Sequence, residues 1–248
     1  RRAAHWLLPE GVIDVLRRRS EARHPEHVAL PGWPEATTDE RSSAADGRPA
    51  DAEAAWDDET VARAMAADFP AFVEACSGTR PLDLAHEAPG AALHSVAFHN
   101  TYLSFGYVLA RAALGRDRLS VLDWGGGLGH YAVLARALMP DLELDYTVKD
   151  LPSFCREGSR LLPGTRFVDD DSWRQRTYNL VFASGALQYS RDWRAVLAGL
   201  AAATAGQLYV TRLPLFTDTP STVVRQDARP HGIDARFTGW FLNHDEFV

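Results

Sequence analysis

The run Val121-Leu122-Asp123-Trp124-Gly125-Gly126-Gly127-Leu128-Gly129-His130 constrains the fold of this chain more than any other stretch. A short apolar segment, 119–123, leads into it, and a helical pattern over 131–138 leads out. Its spacing is Asp-x-Gly-x-Gly-x-Gly. Glycines at a strand-to-helix turn let the backbone bend sharply and let a ligand approach the main chain with no Cβ in the way. The free amides of the helix start that follows favour a negative group. The same residues exclude two nucleotide loops. A nicotinamide fingerprint needs G-x-G-x-x-G/A, and the sixth position from Gly125 is His130; a P-loop needs Gly-Lys-Ser/Thr, and no such triplet occurs.

Downstream, strands and helices alternate. Strand patterns over 119–123, 142–148, 165–169, 178–184 and 207–213 are interleaved with helical patterns over 131–138, 152–162 and 192–203. This spacing predicts a parallel sheet covered on both faces. The right-handed crossover rule then gives a doubly wound, Rossmann-like, mostly parallel α/β sheet. No closing strand pair is read after the fifth strand, and 214–248 is read as a segment that shapes a substrate pocket.

Upstream, 1–115 reads as a helical N-terminal region, and 116–248 as the α/β core. A short helix is expected over about 11–21. A Pro-, Gly-, Ser- and acid-rich loop follows over about 30–58, with Trp33 and Trp56 either anchoring it or covering apolar surface. A helix starts at Asp58-Glu59-Thr60-Val61, with Pro70 expected to kink or divide it. Another is expected over 93–114, with Val96, Tyr102, Leu103, Tyr107 and Leu109 on its apolar side and Gly115 as its stop.

Composition narrows the function classes. At 248 residues and 46% hydrophobic content, the chain can bury a full-sized core. A net charge of -7 argues against a nucleic-acid partner. The two cysteines, Cys76 and Cys155, lack CxxC spacing, which fits a reducing, cytoplasmic setting and no structural metal. His24-x-x-His27 and the pair His94 and His99 lack a third ligand, so no metal is assigned. No run approaches the ~18 apolar residues of a membrane span. The sequence begins on Arg1 and ends at Val248 in what reads as the opening of a helix, so it is expected to be part of a longer one.

The glycine motif, with its acid and its strand–loop–helix setting, resembles the first motif of class I S-adenosylmethionine (SAM)-dependent methyltransferases. Together with Ser184-Gly185-Ala186-Leu187-Gln188-Tyr189 and Trp240-Phe241-Leu242-Asn243, it is similar to a narrower bacterial group encoded in polysaccharide and secondary-metabolite gene clusters. The broad resemblance covers about 119–213, and the narrower, less specific one runs to the end. It implies SAM as cofactor, a helical lid from the N-terminal region, and cofactor contacts at Asp123, Gly125, Gly127, Gly129 and His130. Asp150, ending the second strand, falls where an acid meets a ribose diol, or caps the helix before Pro152. One of the acids Asp169, Asp170 and Asp171 is expected near the adenine amino group, Asp170 and Asp171 being favoured, unless they form a solvated turn. Ser184 and Gly185 leave room beneath the sulfonium. Where the family often has His, this chain has Gln188.

Methyl transfer from a sulfonium needs mainly an acceptor held ~3 to 3.5 Å from the methyl and in line with the S–C bond. A base is needed only where the acceptor must lose a proton. The residues singled out for acceptor contact are His99, Tyr189 and His231, each with a packing or surface role as the alternative; His130 has helix surface as its alternative. The expected function is transfer to the oxygen or nitrogen of a small molecule, a secondary metabolite or sugar-like acceptor. The alternatives are a SAM-dependent cyclisation or elimination, a catalytically silent assembly protein, and a nicotinamide oxidoreductase. The expected partners are a small-molecule substrate and, as an option, a second copy of the chain, with no nucleic acid and no membrane.

Overall fold

The chain divides into two units, Arg1–Glu35 and Ala36–Val248. The computed structural model describes residues 56–82, 96–227 and 236–248, all within the second. The expected helix over 11–21, most of the 30–58 loop, Trp33, His24, His27, His94 and His231 lie outside the described residues.

Five parallel strands form the central sheet: β1 (Arg118–Trp124), β2 (Glu143–Lys149), β3 (Arg166–Val168), β4 (Tyr178–Ser184) and β5 (Thr204–Thr211). Their order is β3-β2-β1-β4-β5, with every pairing parallel. Strand order reverses between β1 and β4, the switch point at which such sheets open a crevice at their carboxyl edge. Alternation along each strand divides the core between two faces. Val121, Leu180 and Phe182 pack on one side with Phe105, Leu109 and Tyr131; Leu122, Val181 and Ala183 pack on the other with Trp173 and Leu200. Burial on both faces explains why these strands read as continuous apolar runs.

Helix α1 (Glu59–Ser77) is capped by Asp58, whose carboxylate accepts the Thr60 amide at 2.6 Å. Of the expected kink or division at Pro70, the division does not occur: the helix runs through the proline as one element. Phe69 and Phe72 anchor it in the core on either side, and Pro70 itself is exposed. Helix α2 (Val96–Ala113) buries Tyr102, Phe105, Leu109 and Ala112. Val96, Leu103 and Tyr107, read from the sequence as part of its apolar side, are instead 76%, 58% and 69% exposed. The helix carries two apolar stripes, and the one set by 102, 105, 109 and 112 meets the sheet.

Helices α3 (His130–Leu138), α4 (Pro152–Leu161) and α5 (Trp193–Ala202) are the crossovers. Single 3₁₀ turns, Asp171–Gln175 and Leu187–Tyr189, precede β4 and follow it. Beyond β5 the chain is not merely loop. It forms a second sheet of β6 (Leu215–Phe216), β8 (Arg236–Asn243) and β7 (Thr222–Asp227), in that order, and ends in a turn of helix, α6 (His244–Phe247). Strands β7 and β8 are antiparallel, pairing Thr222 with Phe241 and Asp227 with Arg236. β8 lies against the Leu187–Tyr189 turn: the Trp240 indole donates to the Ser190 carbonyl at 3.1 Å, and Gly239 abuts the Tyr189 ring.

Candidate active site

The loop after β1 is held open by three left-handed glycines. Gly125, Gly127 and Gly129 have φ of 72°, 58° and 85°. An L-residue there costs ~1–2 kcal/mol. Space separates their roles. A Cβ at Gly125 would strike Ala186, and one at Gly129 would meet Leu162 and Phe167. A Cβ at Gly127 meets nothing within 4 Å. Two of the glycines are therefore packing requirements, and the third leaves bare backbone facing open space at the carboxyl edge of the sheet.

Asp123 lies under this loop. Its carboxyl occupies the place a Gly126 side chain would take, and it accepts the Tyr146 hydroxyl at 3.1 Å. Burial pushes its pKa up to about 8; the Tyr146 bond opposes this and the Asp150 charge adds to it. Asp123 thus supports the turn from below, where it is 1% exposed.

Asp150 follows β2, next to the loop. Its Oδ2 accepts the Gly127 amide at 2.6 Å and its Oδ1 the Leu151 amide at 2.7 Å. Burial raises its pKa, against the pull of these two bonds. Each carboxylate oxygen has a second lone pair beyond the amide it takes, so both retain capacity for a hydroxyl donor. The chain's sole lysine, Lys149, ties the neighbouring turns by donating to the carbonyls of Asp150 and Asp169, at 3.0 and 3.2 Å. The start of α4 is capped from far along the chain, where Asp57 Oδ1 accepts the Ser153 amide at 2.8 Å.

At the end of β4, Ser184 Oγ lies 3.3 Å from the Tyr131 hydroxyl. Gly185 (φ 64°) donates its amide to Thr211 and receives the Gln188 carboxamide on its carbonyl at 2.9 Å. Gln188 Oε1 is buried without a partner. Arg212, just past β5, has φ 61° and stands with its guanidinium against Gly185 and above the Phe98 ring, 5.7 Å from its centre. Burial lowers its pKa to about 10. The expected strand over 207–213 stops at Thr211 because this left-handed residue turns the chain away.

The sheet thus brings Asp123, Gly125, Gly127, Asp150, Ser184 and Gly185 to one edge, as the parallel register of β1 with β2 and β4 requires. Other candidates are placed differently. The His130 ring is buried between Phe69 and Phe72, 4.9 Å from each, and burial lowers its pKa to about 3. Asp170 caps its own turn through the Ser172 amide at 2.9 Å, which holds its carboxyl below the usual range, and Asp171 pairs with Arg174 at 3.4 Å. Tyr189 stands edge-on to Trp56, 5.4 Å away, beneath Gly239. His99 Nδ1 is buried with no partner, one residue from Phe98. Sequence reasoning missed Arg212, Tyr146 and Asp57, none of which carries a local motif. Among the described residues, no group of three or more His, Cys, Asp or Glu is placed to hold a metal, and no helix is long and apolar enough to cross a membrane.

No family model matches the sequence, and no curated protein matches it significantly. Solved structures do resemble it in fold. The plantazolicin methyltransferase BpumL, crystallised with S-adenosylhomocysteine (SAH), is 16% identical with a TM-score of 0.39, over 46% of this chain and 48% of that one. The mitomycin 7-O-methyltransferase MmcR is 20% identical with a TM-score of 0.37, over 49% of this chain and 38% of that one. The sugar N-methyltransferase KedS8 from a Streptoalloteichus species is 20% identical with a TM-score of 0.37, over 50% and 57%. The aligned part spans about half the length of these proteins, and the likeness is one of fold.

Proposed function

We propose that this chain binds SAM at the carboxyl edge of its central sheet and is a SAM-dependent methyltransferase. The observation that carries the reading is the bare Gly127 backbone, facing open space with the Asp150 carboxylate bonded to its amide. That cradle fits a nucleoside: a Cβ would fill it, and the carboxylate oxygens retain lone pairs for a ribose diol. Gly125, Gly127 and Asp150 are the residues proposed to hold it, with Asp123 supporting the loop from below. Ser184 and Gly185 leave room at the end of β4. When bound, the cofactor supplies a methyl carbon already activated for in-line displacement.

The protein's own task is then to orient an acceptor and exclude water. We propose a small molecule methylated on oxygen or nitrogen, because the net charge of -7 disfavours a polyanion. Where the acceptor is a hydroxyl, His99 is the proposed proton acceptor, since its buried Nδ1 lacks a partner. The segment 214–248 is proposed to wall the acceptor side through β8, and helix α2, which carries His99, to act as its lid. Calorimetric titration of the full chain with SAH tests the cofactor reading, and absence of binding overturns it. Incubation with methyl-labelled SAM and a panel of phenols, amines and sugars tests the transfer. Labelled product with one SAH per turnover supports it; product without SAH points to cyclisation or elimination instead.

A further inference from the structure

We propose that the exposed stripe of helix α2 is a homodimer interface, in which two copies of this chain pair their α2 helices antiparallel about a two-fold axis. The pairing requires no cofactor, so it stands or falls apart from the methyl-transfer reading.

Eight large hydrophobic residues are exposed among the described residues, and four of them lie on this helix and the turn after it: Val96, Leu103, Tyr107 and Leu114. Apolar residues exposed singly are ordinary, whereas a contiguous row marks a contact surface. Leu138, the last residue of α3 and 49% exposed, widens the row. A Cβ on Gly106 would come within 3.2 Å of its side chain. The helix also lacks the charges of a solvated face. No Asp, Glu, Lys or Arg occurs from 96 to 110, although 24% of the chain is charged. Interface cores show the same loss of charge and favour tyrosine.

The spacing identifies the occupant. Alternating steps of four and three residues link Val96, Asn100, Leu103, Tyr107, Ala110 and Leu114, the a/d seam of a coiled coil. All six are exposed or half-buried. The seam is its own complement. Reversed about a two-fold near position 105, it sets Val96 against Leu114, Leu103 against Tyr107 and Asn100 against Ala110, and the symmetry makes each pairing twice. A parallel pair would instead stack Tyr107 on Tyr107 and Ala110 on Ala110, a bulge one turn from a gap. The area also suits a dimer. With aromatics carrying ~150–250 Å² and aliphatics less, the stripe and Leu138 expose on the order of 500 Å² per copy. The small and polar residues between them bring this toward the ~800 Å² per partner of a standard interface.

Sedimentation equilibrium of the full chain over about 1–100 µM is expected to show a dimer. Leu103→Lys and Tyr107→Glu, both at exposed positions and checked for folding by circular dichroism, should each weaken association at least ~30-fold, as loss of a central anchor does. Mixed in equal amounts, the two variants are expected to recover a heterodimer. Of its two 103–107 pairings, one is then native and the other joins Lys to Glu. A wild-type chain that stays monomeric over this range overturns the proposal, whether residues 1–55 or another protein covers the stripe. A dimer that survives both substitutions also overturns it, and a mixture that stays monomeric overturns the antiparallel pairing.

Discussion

Asp150 Oδ2 accepts the amide of Gly127 at 2.6 Å, so the carboxylate that ends β2 holds the very glycine whose missing Cβ leaves the crevice open. Loop shape and acid are one unit. Asp150→Ala strands both the Gly127 and Leu151 amides and is expected to weaken SAH binding by ~1.5–3 kcal/mol. Asp150→Asn keeps one amide acceptor and should lose less. Calorimetry on the three proteins decides, and unchanged affinity in the alanine variant would reduce Asp150 to a cap for Leu151.

Gly125 and Gly127 share a backbone conformation but not a role. Gly127→Val places its side chain in open space, so its cost to the fold is the strain of φ 58°, ~1–2 kcal/mol, while SAH binding is expected to vanish. Gly125→Ala adds a collision with Ala186 to similar strain and should destabilise more. Urea unfolding alongside SAH titration separates them. Equal destabilisation with equal loss of affinity would contradict the assignment.

The sequence made the sheet legible because its strands are buried on both faces, and because only a glycine-rich turn fits between β1 and α3. Asp150 was legible from its distance to the last glycine. Helix α2 was not: Val96, Leu103 and Tyr107 share helical spacing as good as that of Tyr102 and Leu109, and only contact with the sheet shows which stripe is buried. Strands β7 and β8 had their signal in Thr222-Val223-Val224 and Trp240-Phe241-Leu242, but their pairing bridges an intervening stretch that reads as loop. Asp57 reaches Ser153 across 96 positions, and Arg212 adopts a conformation its residue type does not announce. Such contacts follow only from the assembled fold.

His130 and Asp123 should give stability opposite pH slopes. The folded protein holds His130 neutral, with its pKa lowered from 6.5 to about 3 by burial. Its contribution is therefore full above 6.5 and lost as pH falls toward 3, by up to ~1.4 kcal/mol per unit. Asp123 is the reverse: burial raises its pKa from 3.8 to about 8, so its contribution is full below 3.8 and lost as pH rises through 8. Between about 4 and 6.5 the two oppose each other. In urea unfolding across this range, His130→Phe should leave a decline with rising pH. Asp123→Asn should leave a gain with rising pH up to 6.5. Curves parallel to wild type in both variants would show that neither group titrates on unfolding.

Trp56 clasps the C-terminal sheet to the core. Its ring stacks on Phe237 of β8, with centroids 3.8 Å apart and planes 7° from parallel, and meets Tyr189 edge-on. Those contacts join the start of the described chain, the turn after β4, and the strand that packs on that turn. Trp56 is partly exposed, so Trp56→Ala should cost about 2–3 kcal/mol, below the ~3–5 of a fully buried aromatic. Its indole N–H is buried without a partner, a desolvation cost that Trp56→Phe removes while keeping a ring for the stack. The phenylalanine variant should therefore remain within about 1 kcal/mol of wild type. Hydrogen exchange gives the local readout. In Trp56→Ala the β8 amides that pair with β7 should lose protection ahead of β1 and β4, whereas uniform loss across both sheets would mean that Trp56 supports the whole fold.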